Sequence, residues 1–236
     1  MSADYSYVGT ELEIFNEAVN WKRYFTETIE PFLGNNVLEV GAGIGGTTKS
    51  LCRKHHHNWV CIEPDAVLAD QIEQKISNGI LPSNCSVRNM FVSDLPETET
   101  YDTIIYVDVI EHIKDDFKEI EMVKRLLKKN GFLIILVPAY MILYSEFDSN
   151  VGHYRRYNKK TLQRIIPETF KTVQLLYLDS VGLLASLANR LFFRQEMPSM
   201  QQINKWDKYI IPISKITDPL VKYKAGRSLV GVWQNL

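Results

Sequence analysis

Cysteine is scarce in this chain, and the little there is has no pattern. Cys52, Cys61 and Cys85 are an odd number without C-x-x-C spacing. That excludes a disulfide framework and a thiolate zinc site, and reads as buried thiols in a reducing compartment. A basic surplus is missing as well: 27 Lys and Arg stand against 28 Asp and Glu, for a net charge of -1. A protein holding a nucleic-acid backbone over many phosphates carries such a surplus, so no nucleic-acid partner is expected. Long apolar runs are also absent. Phe132–Ala139 and Val181–Leu187 fall far short of the ~20 residues that span a bilayer, so no transmembrane segment is expected. Residues 1–15 have neither the basic n-region nor the apolar h-region of a signal peptide, and the expected location is cytoplasmic. No repeat, low-complexity tract or linker interrupts the chain, which reads as one domain, 1–236. Its 45% hydrophobic and 23% charged residues exclude intrinsic disorder.

What is present is a rhythm. Within 11–33, Leu12, Phe15, Val19, Tyr24, Phe25 and Ile29 recur at roughly helical spacing, and Pro31 and Gly34 end the segment. From Val37, short apolar runs alternate with helix-length polar stretches. Strands are expected over 37–40, 59–63, 86–92, 101–109 and 132–138, and helices up to Lys54, over Ala66–Ser77 and over Asp115–Lys129. Unbroken apolar runs suit strands buried on both faces, and the helices between them suit right-handed crossovers of a parallel sheet. The fold class is α/β, doubly wound. After Pro138 come a polar-aromatic connection over 140–160, a helix near Thr161–Ile166 and a strand near Thr172–Leu178. An apolar helix over Gly182–Phe193 follows, then an irregular stretch over 195–220 with Pro198, Pro212 and Pro219, and a last strand over 228–233. Residues 181–225 read as a cap insertion.

Between the first strand and its helix lies Glu39-Val-Gly41-Ala-Gly43-Ile-Gly45-Gly46. Glycines let backbone approach a ligand closely, and the helix N-terminus offers free N–H donors. Glycines at 41, 43 and 46 formally allow a dinucleotide. Glu63 ends the second strand about 20 residues on, where a carboxylate accepts from ribose hydroxyls. Glu39 would sit badly beside a pyrophosphate and well beside a cationic ligand.

LEVGAGIGGTT followed by CIEPD resembles the first two motifs of class I S-adenosylmethionine (SAM) methyltransferases. The resemblance implies a Rossmann-like seven-stranded sheet with strand seven antiparallel, spanning Val37 to Trp233. It places Glu39, Gly41, Gly43 and Gly45 at the methionine part of SAM, Glu63 at the ribose, and Phe91 and Val92 at the adenine, with Asp94 a further adenine contact. Asp108, closing strand four, joins the cofactor set. Trp21 or Tyr24 of the N-terminal helical segment is a candidate cover for the methionine end.

After strand four come Asp108, Glu111 and His112, and a later loop carries His153. Two carboxylates and two imidazoles aimed at one point suit Mg²⁺, Mn²⁺, Fe²⁺ or Zn²⁺, with positions open for substrate oxygens. Without a metal, His153 or His112 is a candidate general base oriented by Asp108 or Glu111. Purely structural roles are the third reading. The arrangement resembles metal-dependent O-methyltransferases of ubiquinone biosynthesis and small-RNA 2′-O-methyltransferases, which carry Glu-x-x-Glu-His after strand four and a later histidine. Here Asp108 replaces the first Glu and shortens one ligand arm. Arg155 and Arg156, next to His153, suit a carboxylate or phosphate on the acceptor, with Arg155 placed in the catalytic set. Tyr144, Asp148, Tyr154 and Tyr157 are candidates for the acceptor pocket. His55-His56-His57 reads as a solvated helix end, and Lys124–Lys129 as a solvated face.

The segments GHYRRY, YLDSVGLLASLANRLFFRQ, WDKYIIP and GRSLVGVW resemble a bacterial methyltransferase group often associated with cell-envelope glycan synthesis. The helix 182–193, ending in Asn189, Arg190 and Arg194, is either core or an apolar wall for a lipid-linked acceptor, to which Trp206, Tyr209 and Ile210–Ile213 would add. The leading expectation is a SAM-dependent O-methyltransferase acting on a small-molecule or glycan hydroxyl, anionic or lipid-linked, with or without a divalent metal. N- or carboxyl-methylation with a histidine base is one alternative, and a non-catalytic SAM-binding partner protein another.

Overall fold

The computed structural model describes residues 5–9, 11–192 and 199–236. Five strands, β1 (Asn36–Val40), β2 (Asn58–Ile62), β3 (Cys85–Arg88), β4 (Tyr101–Val107) and β5 (Leu127–Pro138), are mutually parallel. With β6 (Phe170–Leu178) and β7 (Ser228–Asn235) they form one sheet of seven, ordered β3-β2-β1-β4-β5-β7-β6. β7 runs antiparallel to both neighbours, as the resemblance implies. Alternate residues of the central strands enter opposite cores, which is why their apolar runs are unbroken. Leu38, Ile104 and Ile135 join one core with Ile120 and Val123, whereas Val37, Ile105 and Ile134 join the other with Trp21, Phe25 and Ile29. Strand order reverses between β1 and β4, so the ligand crevice of such a sheet lies at their C-terminal ends.

The helices are α1 (Glu11–Asn16), α2 (Val19–Ile29), α3 (Gly46–Leu51), α4 (Ala66–Ser77), α5 (Asp116–Leu126), α6 (Glu146–Asn150), α7 (Lys159–Arg164), α8 (Ser180–Phe192), α9 (Met200–Lys205) and α10 (Ile211–Leu220). Four sequence expectations change. The N-terminal segment is two helices, separated at Glu17-Ala18. The third strand ends at Arg88, leaving Phe91 and Val92 at a short turn. α5 stops at Leu126, because Leu127, at helical spacing from Val123, pairs instead with Tyr101 across the sheet.

The largest difference is in the cap. The stretch expected to be irregular is helical through α9, a π turn over Trp206–Ile210, and α10. Proline punctuation was misleading here. Pro212 stands in the first turn of α10, just past the π turn in which Ile211 N–H donates to Trp206 O, and Pro219 falls in the last turn. Residues 193–198 of the expected cap, with Phe193, Arg194 and Pro198, lie outside the described residues.

Three buried aspartates dock the cap. Asp207 accepts from the Trp21 and Asn20 amides at 2.8 and 3.0 Å, serving the first turn of α2. Asp218 accepts from the Asp179 and Ser180 amides at 2.7 and 2.9 Å and from Tyr24 Oη at 2.8 Å. Asp179 takes Trp206 Nε1 at 2.8 Å and Ser214 Oγ at 2.6 Å. Carboxylates at helix N-termini are favourable because N–H donors replace water around the charge. Among the described residues no helix is long and apolar enough to cross a membrane.

Candidate active site

A cavity of about 560 Å³ opens at the C-terminal ends of β1 and β4, where the switch point predicts it. Its first wall is the glycine loop. Gly41, Gly43 and Gly45 have φ of +65°, +56° and +75°. A Cβ on Gly41 would meet Val109 Cγ2 at 2.7 Å, so glycine is needed there for space as well as conformation. The Gly41 amide bonds Ile62 O at 2.9 Å, pinning the loop to β2. Gly43 N donates to Glu63 Oε2 at 2.8 Å, and Glu63 Oε1 accepts from Asp65 N at 3.0 Å. Gly41, Gly43, Glu63, Phe91, Val92 and Asp108 all line the cavity. Gly45 instead caps the start of α3, and Gly46 takes the lining position. Asp94 turns away to accept from the Phe91 amide at 3.0 Å.

Glu39 is placed differently from the expectation. Strand alternation turns it away from the cavity that its neighbour Val40 lines, and it is 2% exposed. Its Oε2 accepts from Thr48 Oγ1 and Trp59 Nε1, both at 2.8 Å, tying β1 to α3 and β2. Burial pushes this carboxyl up to about 7 despite those hydrogen bonds. A carboxyl whose pKa rises on folding contributes stability fully below pH 4.5 and loses it as pH rises through about 7. The expected loss is about 3 kcal/mol. Urea midpoints should therefore fall from pH 5 to pH 8 in the wild type (roughly the range between the two pKa values). Glu39→Gln should flatten that part of the curve.

The N-terminal segment covers the cavity. Tyr7 N donates to Asp65 Oδ2 at 2.7 Å, and the Tyr5 ring meets Phe91 edge-on at 5.6 Å. Trp21 and Lys22 of α2 reach the lining, whereas Tyr24 is committed to Asp218. Lys22 Nζ bonds Asn16 O and Oδ1 at 2.8 and 2.9 Å, and burial pushes it down to about 8.

The opposite wall holds the chemistry. Asp108, directly after β4, has φ +53°, a sparsely populated conformation for a non-glycine residue that starts the tight turn carrying Glu111 and His112. Glu111 is fully buried, and neither carboxylate oxygen has a hydrogen-bond partner. Burial, and then the Asp108 charge, drive its pKa well above the usual range. His112 and His153 pack edge to face at 4.5 Å, and burial followed by His153 pushes His112 down to about 3. His153 Nδ1 lies 2.8 Å from Asp148 Oδ1, and its Nε2 lies 3.9 Å from Glu111 Oε1. Asp148 is 0% exposed and also receives Arg156 Nε and Nη2 at 2.7 and 2.9 Å. Burial alone would raise Asp148, but the His153 and Arg156 hydrogen bonds outweigh it and hold the carboxyl well below its usual range. An ionised Asp148 only accepts, so His153 Nδ1 carries the hydrogen and Nε2 is the free lone pair.

Glu111, His112 and His153 each offer a ligand atom within 4.8 Å of the others, whereas Asp108 lines the cavity outside that group. Arg155 does not reach the cavity. Adjacent residues of an extended segment point apart, and Arg155 pairs with Asp116 at 2.5 Å and Lys114 O at 2.7 Å. Arg156 is the one that lines it.

None of the four acceptor-pocket candidates lines the cavity. Tyr144 donates to His153 O at 2.6 Å, Tyr157 to Asp116 Oδ2 at 2.6 Å, and Tyr154 is 54% exposed, while Asp148 stands behind His153. Trp206 lines the cavity, but no described side chain of α8 does. His56, expected to be solvated, is instead buried: it accepts from the Arg53 amide at 2.9 Å and packs on the Trp59 ring at 5.2 Å.

Arg227, just before β7, was not singled out in the sequence. Its guanidinium lines the cavity 5.1 Å from the Trp206 ring centroid, and no described residue accepts a hydrogen bond from it.

This sheet order, the reversed β7 and the glycine loop at the switch point define the class of SAM-dependent methyltransferases. The chain belongs to the family described as a methyltransferase domain, which matches residues 16–172. A sarcosine/dimethylglycine N-methyltransferase of Aphanothece halophytica is 25% identical over 137 residues, covering 52% of this chain and 50% of the relative. The chain spans about half the length, or less, of the curated relatives it matches. Among solved structures, N-methyltransferase NodS of Bradyrhizobium japonicum WM9, in complex with S-adenosyl-L-homocysteine, superposes with TM-score 0.60 at 14% identity, covering 96% of this chain and 93% of NodS. The [4+2]-cyclase SpnF superposes with TM-score 0.61 at 14% identity, over 89% of this chain and 79% of SpnF. At these identities the likeness is one of fold.

Proposed function

We propose that the protein transfers the methyl group of SAM to a hydroxyl oxygen of a small molecule or glycan, with His153 taking the hydroxyl proton. The observation that carries this reading is His153, which lines the cavity with the glycine loop and is held from behind by Asp148. A hydroxyl is a poor nucleophile near neutral pH, and a histidine fixed in one tautomer by a buried carboxylate supplies the missing base. Gly41 and Gly43 would face the methionine part, Glu63 the ribose hydroxyls, and Phe91 and Val92 the adenine. As the oxygen–carbon bond forms, the carbon–sulfur bond breaks and its electron pair stays on sulfur. The hydroxyl proton moves to His153 Nε2, leaving methyl ether and S-adenosylhomocysteine. Most of the remaining work is alignment of oxygen, carbon and sulfur. Residues 1–236 would act as one unit, with 181–225 capping the cavity through Trp206.

A second reading rests on Glu111, whose two buried oxygens have no partner. A divalent cation fits Glu111, His112 and His153: the donor set is one carboxylate and two imidazoles, and Asp148 would orient His153 from behind. When bound, such a cation lowers the pKa of an acceptor hydroxyl. His153 would then be a ligand, and the acceptor would remain a hydroxyl.

The acceptor is proposed to be anionic, because Arg227 presents unshared N–H donors to the cavity in place of Arg155. The test is transfer of labelled methyl from SAM to a panel of catechols, vicinal diols and sugars, with and without carboxylate or phosphate, and to matched amines. Label is expected on oxygen of a charged acceptor. Arg227→Gln should raise KM for it about 10–100-fold, the range of a charge-assisted hydrogen bond, with kcat nearly unchanged. Label on nitrogen would give the N-methyltransferase alternative. SAM binding with no turnover would give a non-catalytic binding protein, an outcome the fold alone permits.

A further inference from the structure

The helical run from Met200 to Leu220 buries one side and leaves the other bare. Ile203, Trp206, Ile211, Ser214 and Asp218 face inward. On the outer side Tyr209, Ile213, Ile216 and Leu220 are 58, 51, 69 and 77% exposed, spaced four, three and four residues apart, so they form one stripe. α8, which packs on α10, adds Leu184 at 66% exposure. Single exposed aliphatic residues are ordinary, whereas a contiguous row of them marks an interaction surface.

Among the described residues of this run and the turn after it, the exposed charges have one sign. Lys205, Lys208, Lys215, Lys222 and Lys224 are all exposed. The acidic residues of the same stretch, Asp207 and Asp218, are buried against α2 and Asp179. Among the described residues, Lys215 alone of these has an acidic partner, Glu27 of α2. Two copies meeting through this face would bring lysines against lysines. An anionic lipid surface supplies the opposite charge and an apolar layer for the stripe, the combination that interfacial helices use.

We propose that the outer face of the π turn and α10 docks the protein on an anionic membrane surface, with Ile213, Ile216 and Leu220 entering the headgroup layer and the flanking lysines meeting lipid phosphates. Trp206, on the inner side of the same run, lines the cavity. Docking therefore brings the covered end of the cavity to the bilayer. The inference stands apart from the chemistry of the acceptor.

The experiment is co-sedimentation of the full chain, loaded with S-adenosylhomocysteine, with vesicles of phosphatidylcholine alone or mixed with phosphatidylglycerol. Binding is expected to the mixed vesicles only, and to weaken as salt screens the lysines. Lys208→Glu and Lys222→Glu should each lower the partition coefficient about fivefold or more. Ile216→Glu with Leu220→Glu should abolish binding while circular dichroism and S-adenosylhomocysteine affinity stay unchanged. Three results would overturn the proposal: no binding to phosphatidylglycerol vesicles at low salt, binding indifferent to the Ile216/Leu220 change, or a concentration-dependent dimer that the same change dissolves. The last would assign the face to a second copy.

Discussion

His153→Gln is expected to lower kcat for methyl transfer by about 10²–10⁴-fold, the usual contribution of a general base, with little change in S-adenosylhomocysteine affinity. Glutamine retains a hydrogen-bonding group near Asp148, so the fold is disturbed little, but it cannot take a proton. Asp148→Asn should act differently. The amide can donate to the imidazole as readily as accept, which releases the tautomer, and it removes the charge facing Arg156. Breaking that buried pair carries a stability cost of about 3–5 kcal/mol, so Asp148→Asn is expected to lose stability as well as rate, whereas His153→Gln loses rate alone. The discriminating control is His153→Gly assayed with added imidazole. Partial recovery of turnover identifies the missing group as a base. A His153→Gln enzyme within tenfold of wild type would remove His153 from the reaction.

The two strongest sequence signals were strand burial and the glycine loop, and both depend on local chemistry. Val37 and Leu38 read as part of one apolar run because their alternate faces enter different cores. The same alternation explains two misplacements. Glu39 precedes the cavity-lining Val40 on the strand and so turns to the opposite side, to Thr48 and Trp59. Of the adjacent arginines only Arg156 turns inward. A one-residue error of side is the natural failure of reading an extended segment without its partners.

The cap was less legible because its rules are tertiary. Pro212 and Pro219 read as breakers, yet Pro212 occupies the first turn of α10, where a missing N–H is tolerated, and Pro219 comes only one residue before the helix ends at Leu220. The docking aspartates 179, 207 and 218 look like surface residues until the amides of α2 and α8 are placed against them. Asp148 lies five residues before His153 and reads as pocket lining; only the fold of that loop turns its carboxylate behind the imidazole. Arg227 had no signal, since its role follows from where β7 inserts beside β5.

The second large effect concerns Glu111. A carboxyl that is 0% exposed, has no hydrogen bond on either oxygen and stands near Asp108 and two imidazoles is costly as it stands. Structures retain such a group when it has a partner in the working state, and a divalent cation satisfies the carboxylate and both rings together. If the metal reading holds, calorimetric titration of Mn²⁺ or Fe²⁺ into the protein loaded with S-adenosylhomocysteine should show one site, with His153 a ligand rather than the base. Glu111→Ala and His153→Ala should each abolish that site, while Asp108→Asn should preserve it, because Asp108 lies outside the converging group. At a hundredfold excess over Kd the metal should stabilise the wild type by about 2.7 kcal/mol and the Glu111→Ala protein not at all. If the titration gives no heat and no stabilisation, the partner of Glu111 is a proton. Glu111→Gln should then fold and turn over nearly as the wild type does, and His153 acts as the base on its own.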